Sequence, residues 1–293
     1  MNQKNVLLLG NGLNNIEDGY TWTDLVKDLV NDTGVKKLVN VDKNKPFPLL
    51  YEEIYLNAAR ENGMKERSIK ELICSKIREM KPNILHQKIM RMQFENILTT
   101  NYDHNLERAS GNEPTKMENQ GIIKEGKYSL FRVNQIGKTT LWHIHGECNS
   151  PSSITLGYDQ YSGCLQKIRN YVVTGTDRTY KLKFASLLMR FKKNEIHFDS
   201  WIDYFFKKDI YIMGLKLDFV EMHLWWLLTI RARWKLERKI NLKNKITYFY
   251  PGKYETDIKH KLELLRSVEV LPVKMGNTDD EKYYLDVLRR ISE

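Results

Sequence analysis

The chain has 293 residues, of which 41% are hydrophobic and 11% aromatic, and this is enough apolar material for a substantial core. A mean hydropathy of −0.54 excludes a membrane protein, since no apolar run approaches the roughly 20 residues of a spanning helix. A net charge of +10 favours anionic partners, although a chain rich in Lys and Asn can carry it without a functional reason. The opening apolar stretch Val6–Leu9 is too short for a secretory signal, so the sequence predicts a soluble, cytoplasmic protein.

Short apolar runs recur along the chain, and each stops at a polar or glycine turn. They are Val6–Leu9, Asn96–Leu98, Thr140–Ile144, Ile210–Met213, Ile246–Tyr250 and Val268–Leu271. Runs of this length between helical stretches are typical of buried strands in a mostly parallel sheet covered on both faces. The sequence therefore predicts an α/β fold with a Rossmann-like sheet, in which ligands bind beyond the carboxyl ends of the strands.

Helical patterns fill the intervals between these runs. A capping signal at Thr21–Asp24 precedes a helix that places Trp22 and Leu25 on one face. Two further segments, near residues 49–92 and 160–206, have the pattern of helical insertions, and we expect them to pack together as a smaller lobe beside the sheet. Since no Gly-, Ser- or Pro-rich linker divides the chain, we expect a single domain over residues 1–293.

The first motif follows the opening run. It reads Gly10, Asn11, Gly12, Leu13, Asn14. Glycines at such a turn let the backbone approach a pyrophosphate closely. The third glycine of a dinucleotide-binding fingerprint is replaced by Asn15, so a plain turn at the end of a strand is the alternative.

The second motif follows the second run. It reads Thr99, Thr100, Asn101, Tyr102, Asp103. An Asn and an Asp two residues apart at the end of a strand can fix an amide or a ribose by hydrogen bonds. The alternative is the N-cap of the following helix, a role that both residue types often take.

The third motif contains two histidines, His143 and His145, which point to the same face of a strand. Such a pair can bind a metal, but a site needs a third or fourth ligand and no nearby cluster supplies one. The cysteines Cys74, Cys148 and Cys164 are too few for a four-cysteine zinc site. We therefore expect no metal. His145 comes directly before Gly146 and is better placed as a general base exposed in a pocket.

The order of these motifs resembles the sirtuin superfamily, and more closely its prokaryotic sirtuin-like branch in antiphage defence systems. Further matching pieces are the Trp-x-x-Leu pattern of Trp22–Leu25 and the segment Gly214–Asp218 after a late strand. The resemblance covers roughly residues 5–260. Each motif is weak alone, whereas the ordered set is fairly specific.

The resemblance implies that NAD is the substrate. Asn101 and His145 match the family's catalytic residues, and Asp103 matches the residue that holds the nicotinamide carboxamide. The other implied NAD-binding residues are Gly10, Asn11, Gly12, Leu13, Asn14, Thr100, Gly214 and Leu215. The chemistry of these residue types agrees, because nicotinamide leaves as a neutral molecule from a cationic ring and needs no protonating acid. The site then needs a clamp, stabilisation of the ribose cation and a base.

Departures from the protein-deacylating sirtuins favour one reaction. The chain lacks their four-cysteine zinc ribbon, and their usual Gly-Ala-Gly-Ile-Ser opening reads Gly-Asn-Gly-Leu-Asn here. The resemblance therefore implies an NAD hydrolase that depletes NAD in an abortive-infection response. The alternatives are an ADP-ribosyltransferase or deacylase on the same site and a nucleotide-sensing module without turnover.

Partners are predicted from the need to control such an activity. We expect a homo-oligomer, a co-encoded sensor subunit, or both, with residues 219–240 as the contact. There Met222, Trp226, Ile230 and Trp234 form an apolar stripe flanked by Arg231 and Lys235. The basic run Arg231–Lys239 could bind nucleic acid, but the favoured interpretation is that it forms the solvated face of an amphipathic helix. No membrane partner is expected.

Overall fold

The computed structural model describes residues 5–16, 21–112, 126–176, 183–276 and 279–293. Within these ranges one seven-stranded sheet lies at the centre. Its strands are β1 (Val6–Leu9), β2 (Asn96–Thr99), β3 (Asn134–Ile136), β4 (Thr139–His143), β5 (Ile210–Met213), β6 (Ile246–Pro251) and β7 (Val270–Met275). All six predicted runs therefore contribute strands, although the last strand begins at Val270 and continues to Met275.

The strand order is β3-β4-β2-β1-β5-β6-β7. Strand β1 lies between β2 and β5, is parallel to both, and places Leu9 opposite Thr99 and Met213. The pairs β2–β4, β5–β6 and β6–β7 are also parallel, and β3 is antiparallel to β4. The chain first builds β2, β3 and β4 on one side of β1 and then crosses to β5 on its other side, so the switch point, where ligands often bind in such sheets, lies between the carboxyl ends of β1 and β5. The predicted α/β fold with a mostly parallel sheet is confirmed.

Helices cover the sheet. They are α1 (Trp22–Asp32), α2 (Phe47–Asn62), α3 (Glu66–Arg78), α4 (Ile84–Arg91), α5 (Asn105–Ala109), α6 (Tyr158–Arg169), α7 (Leu187–Lys192), α8 (Tyr204–Lys207), α9 (Met222–Leu236), α10 (Lys259–Ser267) and α11 (Asp280–Ser292). The predicted cap of α1 is present, since Thr21 Oγ1 accepts from the Asp24 N–H at 3.2 Å and the Asp24 carboxylate accepts from the Thr21 N–H. Among the helices described, none has the length and apolar character needed to cross a bilayer.

The two helical insertions meet, but they pack on different cores. At their contact, the Asp159 N–H donates to Glu52 Oε1 at 3.4 Å and Gln160 donates to Glu66. Helices α2 and α3 share an apolar cluster with α1. The segment 160–206 instead buries most of its apolar side chains, Trp201 among them, in a cluster that also contains side chains from the strands. This second segment is therefore largely a cover of the sheet, since its apolar faces have the strands as partners.

Helix α9 has apolar side chains on more than one face, and its first basic residue is buried. Arg231 is 1% exposed, and its guanidinium donates to the Phe205 carbonyl at 3.0 Å and to the Asn244 carbonyl at 2.6 Å. Trp234 is also buried in the core. The expectation that Arg231 flanks an external contact is therefore wrong, because this side chain satisfies carbonyl groups inside the fold.

A buried carboxyl group lies in the core cluster beside the sheet. Asp203 accepts hydrogen bonds from Tyr171 Oη at 2.9 and 3.0 Å, and Arg190 Nη2 lies 3.6 Å from its Oδ1. Burial outweighs the neighbouring cation and raises the pKa of Asp203 to about 6.

This raised pKa predicts a dependence of stability on pH. The folded state keeps a proton on Asp203 that the unfolded chain, with the usual pKa of 3.8, releases. The stability of the wild type relative to Asp203→Asn should therefore fall by about 2 kcal/mol as the pH rises from roughly 4 to 6. Urea unfolding of both proteins across this range measures the difference, with the exposed Asp257→Asn as matched control. A difference between the wild type and Asp203→Asn that does not change with pH would contradict the assignment.

Candidate functional site

The predicted motifs lie side by side at the carboxyl edge of the sheet. Leu9 pairs with Thr99, and Thr99 pairs with His143, so the segments that follow these residues are neighbours. Their backbones are joined by hydrogen bonds from the Thr100 N–H to the Leu9 carbonyl at 3.0 Å and from the Ile144 N–H to the Thr99 carbonyl at 2.9 Å. Motifs that are far apart in sequence therefore meet, as expected for parallel strands.

The glycines of the first motif are required by close packing against the turn after β5 and against α11. A Cβ on Gly10 would lie 2.4 Å from Leu215 Cα, and one on Gly12 would lie 2.3 Å from Tyr284 Oη. Gly214 has a φ of +69°, which favours glycine, and its carbonyl accepts from the Gly12 N–H at 2.8 Å. The Gly12 N–H is therefore already engaged, and the turn itself explains these glycines without a phosphate.

A small cleft opens beside this turn, between the strand ends and helices α1 and α3. It is lined by Asn11, Thr21, Trp22, Leu25, Ile77, Met80, Asn101, Tyr102 and Asp103. A mostly apolar wall with a few polar groups is typical of sites for small molecules. Among the residues predicted to bind NAD or act on it, Asn11, Asn101 and Asp103 line the cleft. The others lie outside that lining, namely Gly10, Gly12, Leu13, Asn14, Thr100, His145, Gly214 and Leu215.

The side-chain amide of Asn101 has unused hydrogen-bonding capacity. Asn101 is 8% exposed, and its buried Oδ1 has no hydrogen-bond partner within the described structure. Its Nδ2 makes one long contact, 3.5 Å from the Gly10 carbonyl. A buried amide oxygen without a partner costs about 1–3 kcal/mol, so a donor on a bound ligand would be stabilising here. The cleft therefore presents a polar group ready for a ligand.

Asp103 connects the first two motifs. Its Oδ2 accepts from Asn14 Nδ2 at 2.8 Å, and the same Nδ2 lies 2.8 Å from Asn11 Oδ1. Its Oδ1 accepts from the Asn105 N–H at 2.9 Å, at the start of α5. The capping alternative is therefore present in part. Since Asp103 also lines the cleft and each carboxylate oxygen can accept more than one bond, capping and ligand binding are compatible.

His143 lies behind Asn101 and is held from both sides. Its Nδ1 is 2.9 Å from the Asn101 carbonyl, and its Nε2 is 2.9 Å from Glu107 Oε1. Both partners are acceptors, so the ring donates twice and carries a positive charge. Although burial opposes that charge, Glu107 and the carbonyl raise the pKa of His143 to about 9. His143 therefore supports the backbone of Asn101 and does not face the cleft.

His145 belongs to a neighbouring buried cluster. It is 2% exposed, and its Nε2 lies 2.8 Å from His223 Nε2 and 3.3 Å from Glu221 Oε2. Burial lowers the pKa of His145 to about 3, so the ring is neutral at pH 7, as a proton acceptor must be. The expected exposure of His145 in the pocket is wrong in this structure, because Tyr161 and His223 pack against its ring.

Sequence reasoning missed Glu221 and His223, which lie far from His145 in the chain. A signal was available in the sequence, because Glu221 and His223 are both of residue types that bind metals. They lie two positions apart at the start of a helix that follows a glycine turn.

The expectation of no metal rested on the lack of a third ligand near the histidine pair, and that premise is wrong. Two groups of three candidate ligands lie within the described ranges, each with its ligand atoms within 4.8 Å of one another. They are His104, Glu107 and His143, and His145, Glu221 and His223. The three cysteines are buried, and none of them forms a disulfide within the described residues.

Comparison with known proteins agrees with this geometry. Residues 95–204, which include Asn101, Asp103 and His145, match the family model of the SIR2-like domain. SIR2-like domains use NAD. Over 159 residues the chain is 25% identical to the NAD(+) hydrolase ThsA of Acinetobacter baumannii (strain 532279), a match that covers 53% of this chain and 30% of that protein. The chain therefore contains a SIR2-like domain and is a distant homologue of the NAD(+) hydrolase ThsA.

Proposed function

We propose that this chain hydrolyses NAD to nicotinamide and ADP-ribose. The observation that carries the proposal is the unpartnered amide oxygen of Asn101 in a cleft at the carboxyl edge of the sheet, within the segment that matches the SIR2-like model. The name of the relative, an NAD(+) hydrolase, supports the same reaction.

The reaction breaks the bond between nicotinamide nitrogen and ribose carbon, and water supplies the new oxygen on ribose while one proton is released. The nicotinamide ring takes the electron pair of the broken bond and becomes neutral, so no acid is required. We assign Asn101 to orienting the water or the ribose hydroxyls, Asp103 to the carboxamide, and neutral His145 to accepting the proton.

The rest of the dinucleotide would lie along the turns after β1 and β5. Asn11 contributes an amide to the cleft, and Leu13, Asn14 and Thr100 support its shape from behind. We assign Gly214 and Leu215 to the adenosine half. A role in shaping the turn suits Gly214, because its carbonyl already accepts from the Gly12 N–H.

A second candidate is a nucleotide-sensing module that binds without turnover. The burial of His145 favours it, because a base that does not line the cleft must become accessible before it can act. A transferase or deacylase on the same site is the remaining alternative, and its product distinguishes it, since ADP-ribose would be attached to an acceptor.

One experiment tests these readings. Purified protein is incubated with NAD, alone and with lysate of phage-infected cells, and nicotinamide and ADP-ribose are measured by chromatography. Equal amounts of both products support hydrolysis. Nicotinamide without free ADP-ribose supports transfer, and saturable NAD binding without products supports sensing. If the protein neither binds NAD nor turns it over under either condition, a role on NAD is contradicted.

The biological role we propose is depletion of NAD in an infected cell. An uncontrolled NAD hydrolase would harm its own cell, so this role requires control by self-assembly or by a co-encoded sensor. Measuring NAD in cells that express the chain, before and after infection, tests it directly.

We expect the protein to elute as an oligomer or with such a sensor, through α9. With Arg231 buried, the surface residue to test is Leu236, which is 83% exposed at the end of this helix. Leu236→Lys should weaken assembly more than folding, as judged by size-exclusion chromatography with light scattering and by thermal unfolding. Leu264→Lys, which changes an exposed leucine of α10, is the matched control. A fully active monomer at micromolar concentration without a partner would contradict this prediction.

A further inference from the structure

The buried cluster around His145 has the composition and geometry of a metal site. His145 follows β4, whereas Glu221 and His223 lie at the start of α9. His145 and His223 are almost fully buried, and the side chain of Glu221 is 13% exposed. The fold thus brings two imidazoles and one carboxylate from distant segments to a single point.

The three ligand atoms lie near the spacing that a tetrahedral ion requires. The separations are 2.8 Å between the two Nε2 atoms, 3.3 Å from His145 Nε2 to Glu221 Oε2, and 3.8 Å from His223 Nε2 to the same oxygen. Bonds of about 2.0–2.2 Å at tetrahedral angles place neighbouring ligand atoms roughly 3.3–3.6 Å apart. The observed distances bracket that spacing.

Hydrogen bonding among the three groups leaves polar atoms unsatisfied. Two neutral rings that face each other through Nε2 can share only one proton, and Glu221 Oε2 has no hydrogen-bond partner within the described structure. A buried acceptor without a partner is costly. One cation between the three atoms would satisfy Glu221 Oε2 and both ring nitrogens together.

The other group of candidate ligands is different, because its rings are already used. Both nitrogens of His143 face acceptors, the Asn101 carbonyl and Glu107 Oε1, so no lone pair remains for an ion. His104 Nε2 lies 3.0 Å from Glu147 Oε2. The two histidines of that group are therefore each paired with a carboxylate, His143 with Glu107 and His104 with Glu147.

We propose that His145, Glu221 and His223 bind one divalent transition-metal ion of the zinc class. Two imidazoles and a carboxylate suit Zn²⁺ and its neighbours rather than Ca²⁺ or Mg²⁺, which prefer oxygen ligands, and three protein ligands leave a fourth position for water. The start of helix α9 carries a partial positive charge that disfavours a cation, and the carboxylate of Glu221 offsets this effect.

The ion and the proposed hydrolysis compete for His145. When Nε2 binds an ion, the neutral ring carries its proton on Nδ1, so no lone pair is left to accept a proton. A bound ion should therefore suppress NAD cleavage. This consequence rests on the proposed function, whereas metal binding itself does not.

The test is a metal titration of the full chain after removal of adventitious ions with a chelator. Zn²⁺ binding is followed by calorimetry, and Co²⁺ binding by its visible absorption spectrum. We expect about one ion per chain and a Co²⁺ spectrum typical of tetrahedral nitrogen and oxygen ligation. Glu221→Gln and His223→Gln should each weaken binding at least about tenfold. His197→Gln, which changes an exposed histidine, should not.

Two outcomes would overturn the proposal. One is a wild-type chain that binds neither ion stoichiometrically, and the other is undiminished binding by both Glu221→Gln and His223→Gln. If the variants fail to fold, as judged by circular dichroism, the wild-type stoichiometry and Co²⁺ spectrum decide the result. Asn101→Ala separates this proposal from the hydrolase proposal, because it should lose NAD cleavage and still bind the ion.

Discussion

Replacing Asn101 with alanine should reduce NAD cleavage roughly 10²–10⁴-fold, the range expected for a positioned polar or acid–base group. Its amide is the cleft group whose oxygen has no partner inside the described structure, so a ligand is what it can bond. The measurement is kcat/KM for nicotinamide release, with NAD affinity determined separately. His145→Ala should fall in the same range, because the proposed base would be lost.

The fold should survive the change at Asn101. Its side chain makes one long contact, 3.5 Å to the Gly10 carbonyl, so truncation removes little stabilising energy. Asn44→Ala, which removes the same amide from an exposed loop position, is the matched control for expression and activity. Turnover close to that of the wild type in Asn101→Ala, with the fold intact, would show that the assigned role is wrong.

The sheet was largely predictable because buried parallel strands are continuous apolar runs. Two details of the sheet could not be predicted from the sequence. Strand β3 has only three residues, Asn134–Ile136, at the edge of the sheet, and its polar side chains carry no signal above a loop. The last strand begins at Val270 and not at Val268, since Glu269 adopts a φ of +59° that ends the preceding turn. Such a conformation in a glutamate depends on its neighbours in the fold.

The meeting of the motifs was predictable for a similar reason, because the carboxyl ends of parallel strands share one edge. What each side chain contacts was not predictable. His145 and His223 are 78 positions apart, and only the placement of α9 on α6 and the sheet brings them together. Periodicity also misled for Arg231, because a helix with apolar residues on several faces does not reveal which face is inside.

Replacement of His143 should strongly affect stability. In the structure this ring is paired with Glu107, which is itself buried and accepts from Asn134 Nδ2 at 3.2 Å. Removing one partner of a buried ion pair costs about 3–5 kcal/mol, because the other charge is left without compensation.

We therefore expect His143→Ala to lower the free energy of unfolding by about 3–5 kcal/mol, measured by urea denaturation at pH 7. The double variant His143→Leu/Glu107→Leu should be more stable than His143→Leu alone, because it also removes the uncompensated carboxylate. His197→Ala, at an exposed position, should leave stability unchanged. A double variant no more stable than His143→Leu would mean that the ion pair is not the source of the loss. The effect would then come from the bond to the Asn101 carbonyl, which both leucine variants lack.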